Sequence, residues 1–222
     1  MLKLVIGNKN YSSWSMRPWL ALRANNIPFE EIFIPLYTDN RSDKERIISF
    51  SRAGKVPVLL DGEVSVWDSL AIIEYVAERF PNARLWPEDR ASRAHARSVC
   101  AEMHSGFLAL RSECGMNLHR PVRPVTLSAD ALADIARVEQ IWLECRERYG
   151  ASGPFLFGCF GAADAMFAPV VHRFRTYAIE VSPEAKPCIK AYMETMMSLP
   201  AFQEWTKGGL AETLILEKFE RV

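Results

Sequence analysis

A chain of 222 residues, 49% apolar and 24% charged, has room for one large domain or two small ones, each with its own core. Its 27 lysine and arginine residues balance 27 aspartate and glutamate residues, so it offers no net field to nucleic acid or to an anionic membrane. No run reaches the roughly 18 uninterrupted apolar residues of a membrane helix, and Met1 to Gly7 lacks the cationic flank and long apolar core of a signal peptide. The five cysteines, Cys100, Cys114, Cys145, Cys159 and Cys188, are odd in number and without C-x-x-C spacing. That points to reduced thiols in a cytosol and away from zinc or a disulfide frame. The balance suits an enzyme of small molecules.

In chain order, Leu2 to Ile6 reads as a buried strand ended by Gly7-Asn8. Ser15 to Asn25 reads as a helix, capped by Ser15 with Pro18 in its first turn and Met16, Trp19, Leu20 and Arg23 at helical spacing. Phe29 to Leu36 has β character, and Arg41 to Ser51 is a short polar segment, helical or irregular. Val56 to Leu60 and Glu63 to Trp67 form two strands about an Asp61-Gly62 turn. Asp68-Ser69 opens a helix whose apolar face is Leu70, Ile73, Ala77 and Phe80. The order β-α-β-α-β-β-α requires a parallel pair joined by a crossover helix, then an antiparallel hairpin. After a break at Pro81 to Pro87 the expectations are helical throughout: Arg90 to about His119, Ala129 to Tyr149, Ala162 to about Tyr177, and Pro187 to Leu199. The Ala162 helix is apolar nearly all round and is expected to run through a domain centre.

This layout is that of the cytosolic glutathione transferases, and the resemblance reaches particular residues. Tyr11-Ser12-Ser13-Trp14-Ser15-Met16-Arg17 resembles the S-S-x-S-x-R opening of the zeta class and its bacterial relatives. Gly54-Lys55-Val56-Pro57-Val58-Leu59, with Asp68-Ser69 and Ile72, resembles the family's V-P-x-L and E/D-S-x-A-I glutathione site. Gly158 and Ala163-Asp164 resemble its late glycine and T/S-x-A-D. The resemblance covers essentially the whole chain. It implies an α/β plus all-α fold: a thioredoxin-like glutathione-binding domain over residues 1–80, a linker over 81–89, and an all-helical domain over 90–222 forming the electrophile pocket. It also implies a cytoplasmic homodimer with glutathione as co-substrate, no metal, and neither nucleic acid nor membrane as partner.

The chemistry accounts for these residue types. A thiol near the free-cysteine pKa of about 8.5 must ionise before it attacks. A hydroxyl at a helix start can donate to the thiolate, and the helix terminus adds partial positive charge worth about 0.3–1 kcal/mol at an exposed end. Ser12 is the expected activator with Ser13 as neighbour or substitute and Ser15 as cap, although a Ser-Ser pair ahead of a helix also serves as a plain turn. The resemblance implies a cis Val56-Pro57 bond that presents the Val56 backbone to the cysteinyl segment of glutathione. Asp68 and Ser69 are expected at the γ-glutamyl end, Asp68 being shorter than the family's usual residue. Lys44 or Lys55 is expected at the glycyl carboxylate, with Lys55 preferred. Trp14, Met103, Phe107 and Arg111 are candidates for the electrophile pocket, although Met103 and Phe107 at i,i+4 also fit ordinary helix packing. Asp164 reads as a structural cap with Gly161, and His95, His104, His119 and His172 show no metal spacing.

Three rivals remain. Protein-thiol redox chemistry needs a cysteine at the first helix, where Trp14 and Ser15 stand instead. A glutathione-dependent isomerase of maleylacetoacetate type fits the zeta motif, except that Trp14 replaces its cysteine; Arg173 or Arg175 would receive the substrate carboxylate. A non-catalytic binding scaffold is the third, with the retained Ser12-Ser13, Val56-Pro57 and Asp68-Ser69 set standing against it.

Overall fold

The computed structural model describes residues 1–36 and 40–220. The first half runs β1 (Leu2–Ile6), α1 (Ser13–Ala24), β2 (Phe29–Phe33), α2 (Arg41–Phe50), β3 (Val58–Asp61), β4 (Val64–Trp67) and α3 (Ser69–Arg79). These strands form one mixed sheet in the order β2-β1-β3-β4, with β1 and β2 parallel and β3 antiparallel to both β1 and β4. Strand alternation divides the apolar residues between the two faces. Leu4, Ile6 and Leu59 join the main core, where Met16 and Leu20 of α1 and Ile72 and Ile73 of α3 also lie. Val5, Ile34 and Val58 pack with Ile47 of α2 in a smaller core. The hairpin forms as expected but its turn is shifted by one residue: Asp61 pairs with Val64 as the end of β3, and Gly62-Glu63 make the turn, with Gly62 at φ +58°, a conformation glycine adopts without steric penalty.

The second half is helical: α4 (Arg90–Ser105), α5 (Leu108–Glu113), α6 (Ala129–Tyr149), α7 (Ala162–Thr176), α8 (Lys186–Ser198) and α9 (Pro200–Leu210). Nearly every residue of α7 is buried, and the helix packs against α1, α4 and α8. Trp142 of α6 meets Phe167 and Phe174 of α7 and Tyr192 of α8 at ring-centroid distances of 5.0–6.0 Å, the edge-on and tilted contacts that aromatic quadrupoles favour. A thioredoxin-like sheet domain thus carries an all-helical second domain, as anticipated.

Several local expectations are corrected. Helix α1 begins at Ser13, capped by Ser12 instead of Ser15. The buried stripe of α3 is Ser69, Ile72, Ile73 and Val76, an i, i+3, i+4, i+7 set; Leu70, Ala77 and Phe80 lie at its half-buried edge. The long helix expected from Arg90 to His119 breaks after Ser105. Phe107 stands at φ +58°, and a Cβ on Gly106 would come within 2.8 Å of the Glu102 carbonyl oxygen. The chain therefore leaves the helix there and restarts as α5. Beyond Leu199, where the expected helices end, Pro200 occupies the first turn of α9, a position that needs no N–H. Arg41–Phe50, left open as helical or irregular, is a helix capped by Asn40.

His172 on α7 is buried against the Phe202 ring at 4.3 Å. Thr206 Oγ1 donates its one proton to the Phe202 carbonyl, so its 3.2 Å contact with His172 Nε2 has the imidazole N–H as donor. Burial, reinforced by Arg175 and Arg173, pushes the His172 pKa down to about 3 from 6.5. Between those values the unfolded chain binds a proton that the folded chain excludes. Stability present above pH 6.5 is therefore lost as pH falls, by about 3 kcal/mol at pH 4 from this group. We expect His172→Gln to flatten the fall in melting temperature between pH 6.5 and 4; a slope equal to wild type would exclude His172 as its source.

Candidate functional site

A cleft of about 820 Å³ opens between the sheet domain and the helices. The β1–α1 turn supplies Tyr11, Ser12, Ser13 and Trp14; Lys44 comes from α2, and Lys55 and Val56 from the segment before β3. The helical side supplies Leu108 and Arg111 of α5, Met116, and Arg173 of α7, and Phe219 completes the wall. A second cavity of about 610 Å³, between Arg84–Asp89 and the facing ends of α6 and α7, contains none of the candidate catalytic or glutathione residues.

The serine turn is tightly organised. Ser12 Oγ accepts the Ser15 N–H (3.3 Å) and lies 2.8 Å from Ser15 Oγ, a contact in which either hydroxyl rotor can donate. Ser15 Oγ also accepts the Gly7 N–H (3.1 Å), which ties the start of α1 to the end of β1. Ser12 and Ser13 are buried at the cleft edge and Ser15 completely. The Ser13 hydroxyl bonds to no described residue. The Val56-Pro57 bond is cis, and the Val56 N–H and C=O have no partner among the described residues.

Asp68 caps α3 through one carboxylate oxygen, which accepts from Leu70 N–H (2.9 Å) and Ala71 N–H (3.3 Å). Its other oxygen meets His104 Nε2 of α4 at 2.6 Å. The adjacent Ser69 hydroxyl is buried with no partner among the described residues. Neither Asp68 nor Ser69 lines the 820 Å³ cleft; they reach Trp14 through the His104 ring, which meets the indole edge-on at 5.3 Å.

Trp14 lies between two guanidiniums, Arg17 at 4.3 Å and Arg111 at 4.7 Å from the ring centroid. Arg17 is fully buried; its Nε donates to the Met166 carbonyl (3.0 Å) and its Nη1 to the Ser13 carbonyl (3.4 Å). Arg173 is also buried, donating from Nε to the Cys114 carbonyl (2.8 Å), while its Nη1 is unpartnered among the described residues. Burial first, and Arg111 second, push the Arg173 pKa down to about 10; burial lowers Arg111, and burial with Arg173 lowers Arg17 well below the arginine range. None of the three forms an ion pair with a carboxylate among the described residues.

Of the candidates for the electrophile pocket, Trp14 and Arg111 line the cleft. Met103 and Phe107 are packed in the main core and do not line it. Arg173 reaches the cleft, whereas Arg175 points to solvent. Asp164 is a buried structural cap that accepts from Gly161 N–H (2.9 Å) and Leu156 N–H (3.1 Å), and burial raises its pKa to about 6. Among the lining residues without an assigned role in the sequence, two are aromatic, Tyr11 and Phe219. Tyr11 directly precedes the serine pair, a signal that could have marked it, while Phe219 carries no local signal.

Comparison with known proteins agrees with this arrangement. Residues 11–79 match the family model for the glutathione S-transferase N-terminal domain, and residues 127–207 that for the C-terminal domain. The chain is 27% identical to glutathione S-transferase Z2 of Arabidopsis thaliana over 205 residues, 88% of each chain. It is 28% identical over 203 residues to a probable maleylacetoacetate isomerase of Caenorhabditis elegans, covering 86% of this chain and 87% of that one. In three dimensions it resembles maleyl pyruvate isomerase, a bacterial zeta-class glutathione S-transferase, with TM-score 0.72 and 22% identity over 96% of this chain and all of that one. With both domain models matched in order and zeta-class relatives aligned along most of its length, the chain belongs to the glutathione S-transferase family.

Proposed function

We propose that the chain conjugates glutathione to small electrophiles, with Ser12 stabilising the thiolate. The observation that carries this reading is the Ser12 hydroxyl, set at the cleft-side start of α1 and braced by Ser15. When Ser15 donates to Ser12 Oγ, the Ser12 proton is free for the sulfur, and two donors on its oxygen make it a stronger donor in turn. The helix terminus acts in the same direction. Together these lower the thiol pKa by roughly one to two units, each worth about 1.4 kcal/mol. The thiol proton leaves to solvent, and the sulfur lone pair forms a bond to the electrophilic carbon. A leaving group departs with its electron pair, or a double bond takes up a proton. Ser13 is the neighbouring hydroxyl.

Residues 1–80 hold the tripeptide and residues 90–222 face the electrophile. The unpaired Val56 backbone aligns the cysteinyl segment by strand-like hydrogen bonds. Lys55, with Lys44 beside it, faces the glycyl carboxylate. Ser69 and the start of α3 receive the γ-glutamyl carboxylate, and Asp68 its ammonium group. The reading includes a cytoplasmic homodimer.

Titration calorimetry with glutathione, paired with chlorodinitrobenzene conjugation, tests this. Binding with turnover is the expected outcome; no binding at millimolar glutathione would refute it. Ser12→Ala is expected to raise the pH at which bound thiol ionises and to slow conjugation about tenfold, the equivalent of about 1.4 kcal/mol. Wild-type behaviour of Ser12→Ala beside an inactive Ser13→Ala would move the role to Ser13.

A second reading is favoured by one observation, the guanidiniums of Arg111 and Arg173 on the cleft without carboxylate partners. They suit an electrophile that carries a carboxylate, including an unsaturated acid that thiolate adds to, allows to rotate, and leaves again as an isomer. On this reading Arg111→Gln lowers kcat/KM for a carboxylate-bearing electrophile about tenfold more than for a neutral one. Equal losses for both would remove the argument.

A further inference from the structure

Beyond α9 the chain turns back along the first domain. The Glu212 carboxylate accepts the Lys9 N–H (2.6 Å) and the Asn10 N–H (3.1 Å). Leu216 is buried, and its N–H donates to the Tyr11 hydroxyl oxygen (3.2 Å). That hydroxyl gives its own proton to Glu220 Oε1 (2.7 Å), and the same oxygen accepts from the Asn117 side-chain amide (2.9 Å). Glu220 thereby joins the serine turn to the loop after α5, whose Gly115 and Met116 line the cleft. Beside these bonds the Phe219 ring stacks on Tyr11, with centroids 5.3 Å apart and planes 23° apart, and forms part of the cleft wall. Burial and the Glu220 carboxylate raise the Tyr11 phenol pKa, so it remains a donor at neutral pH.

We infer that residues 211–220 are a latched strap closing one side of the cleft, with Phe219 as a specificity-determining wall for electrophiles that carry a flat aromatic portion. Glu220 is the positioning residue that holds this wall against Tyr11. Stacking on Tyr11 fixes the plane of the Phe219 ring, so an aryl group entering the cleft meets an oriented aromatic surface. A small aliphatic electrophile gains little from it. The identity of the ligand rests on the glutathione-transferase reading; the latch itself does not.

Calorimetry on the full chain with glutathione and with S-benzylglutathione measures the wall. Phe219→Ala is expected to weaken S-benzylglutathione about five- to tenfold and glutathione by less than about twofold. Glu220→Ala gives the same selective loss, and Glu220→Gln, which keeps an acceptor oxygen, restores most of it. Hydrogen exchange at the Leu216 amide measures the latch directly and is expected to rise in Glu220→Ala. Equal weakening of both peptides by Phe219→Ala, or none, overturns the selective wall. Unchanged Leu216 exchange in Glu220→Ala overturns the latch. If the wild-type chain binds neither peptide, the transferase reading fails with the wall, while Leu216 exchange still decides the latch.

Discussion

A guanidinium removed from water between two domains holds the site together. Arg17 has no carboxylate partner among the described residues; its Nε and Nη1 meet the carbonyls of Met166 and Ser13, its buried Nη2 meets none among the described residues, and its face lies on Trp14. Each hydrogen bond lost by a buried cation is costly, so the Nε bond to Met166 holds α1 against α7, while the Ser13 carbonyl four residues back on α1 fixes the side chain on its own helix. Ser12 and Ser13 sit on the same turn as Arg17, while Arg173 belongs to α7. The contact that buries Arg17 therefore also sets where the serine hydroxyls stand relative to the cations of the helical domain.

Those cations give the cleft a character that overall composition conceals. The chain is neutral as a whole, yet Lys44, Lys55, Arg111 and Arg173 all line one cavity. These four cations outnumber the one lining carboxylate, Asp43; Lys44 and Lys55 are exposed, so the sheltered Arg111 and Arg173 are the charges whose attraction for an anion is least screened by water. The start of α1 adds to it in the same sense, and a thiolate and the carboxylates of a peptide are the species such a field holds.

Asp68 carries a second constraint. It stands at φ +75°, a conformation uncommon for any residue with a Cβ, and its two oxygens are divided between the cap of α3 and His104. The short side chain permits this division, because a carboxylate on a longer stem would not return to the N–H groups of its own helix so readily. One residue thus ends the hairpin, starts α3 and contacts α4 of the other domain.

The parts of this protein legible in sequence are those that depend on near neighbours. Strand alternation, the hairpin at Gly62, the Asp68 cap and the apolar circumference of α7 are each written within one or two turns of chain, and both domains follow from their order. Ser12 and Val56 could be named as cleft residues in advance because each belongs to such a local motif. Where neighbours compete, local reading fails: Gly106-Phe107 breaks a run that is otherwise helical, because close approach to the Glu102 carbonyl decides the path. Met103 and Phe107 have pocket-like side chains that only packing could assign to the core. The wall of the cleft is decided wholly by tertiary structure. Tyr11 meets Glu220 across 209 positions, and Arg17 meets Met166 across 149, separations over which a sequence carries no periodicity. Chain order determines which elements form, whereas burial and hydrogen-bond satisfaction between distant elements determine which side chains share the cleft.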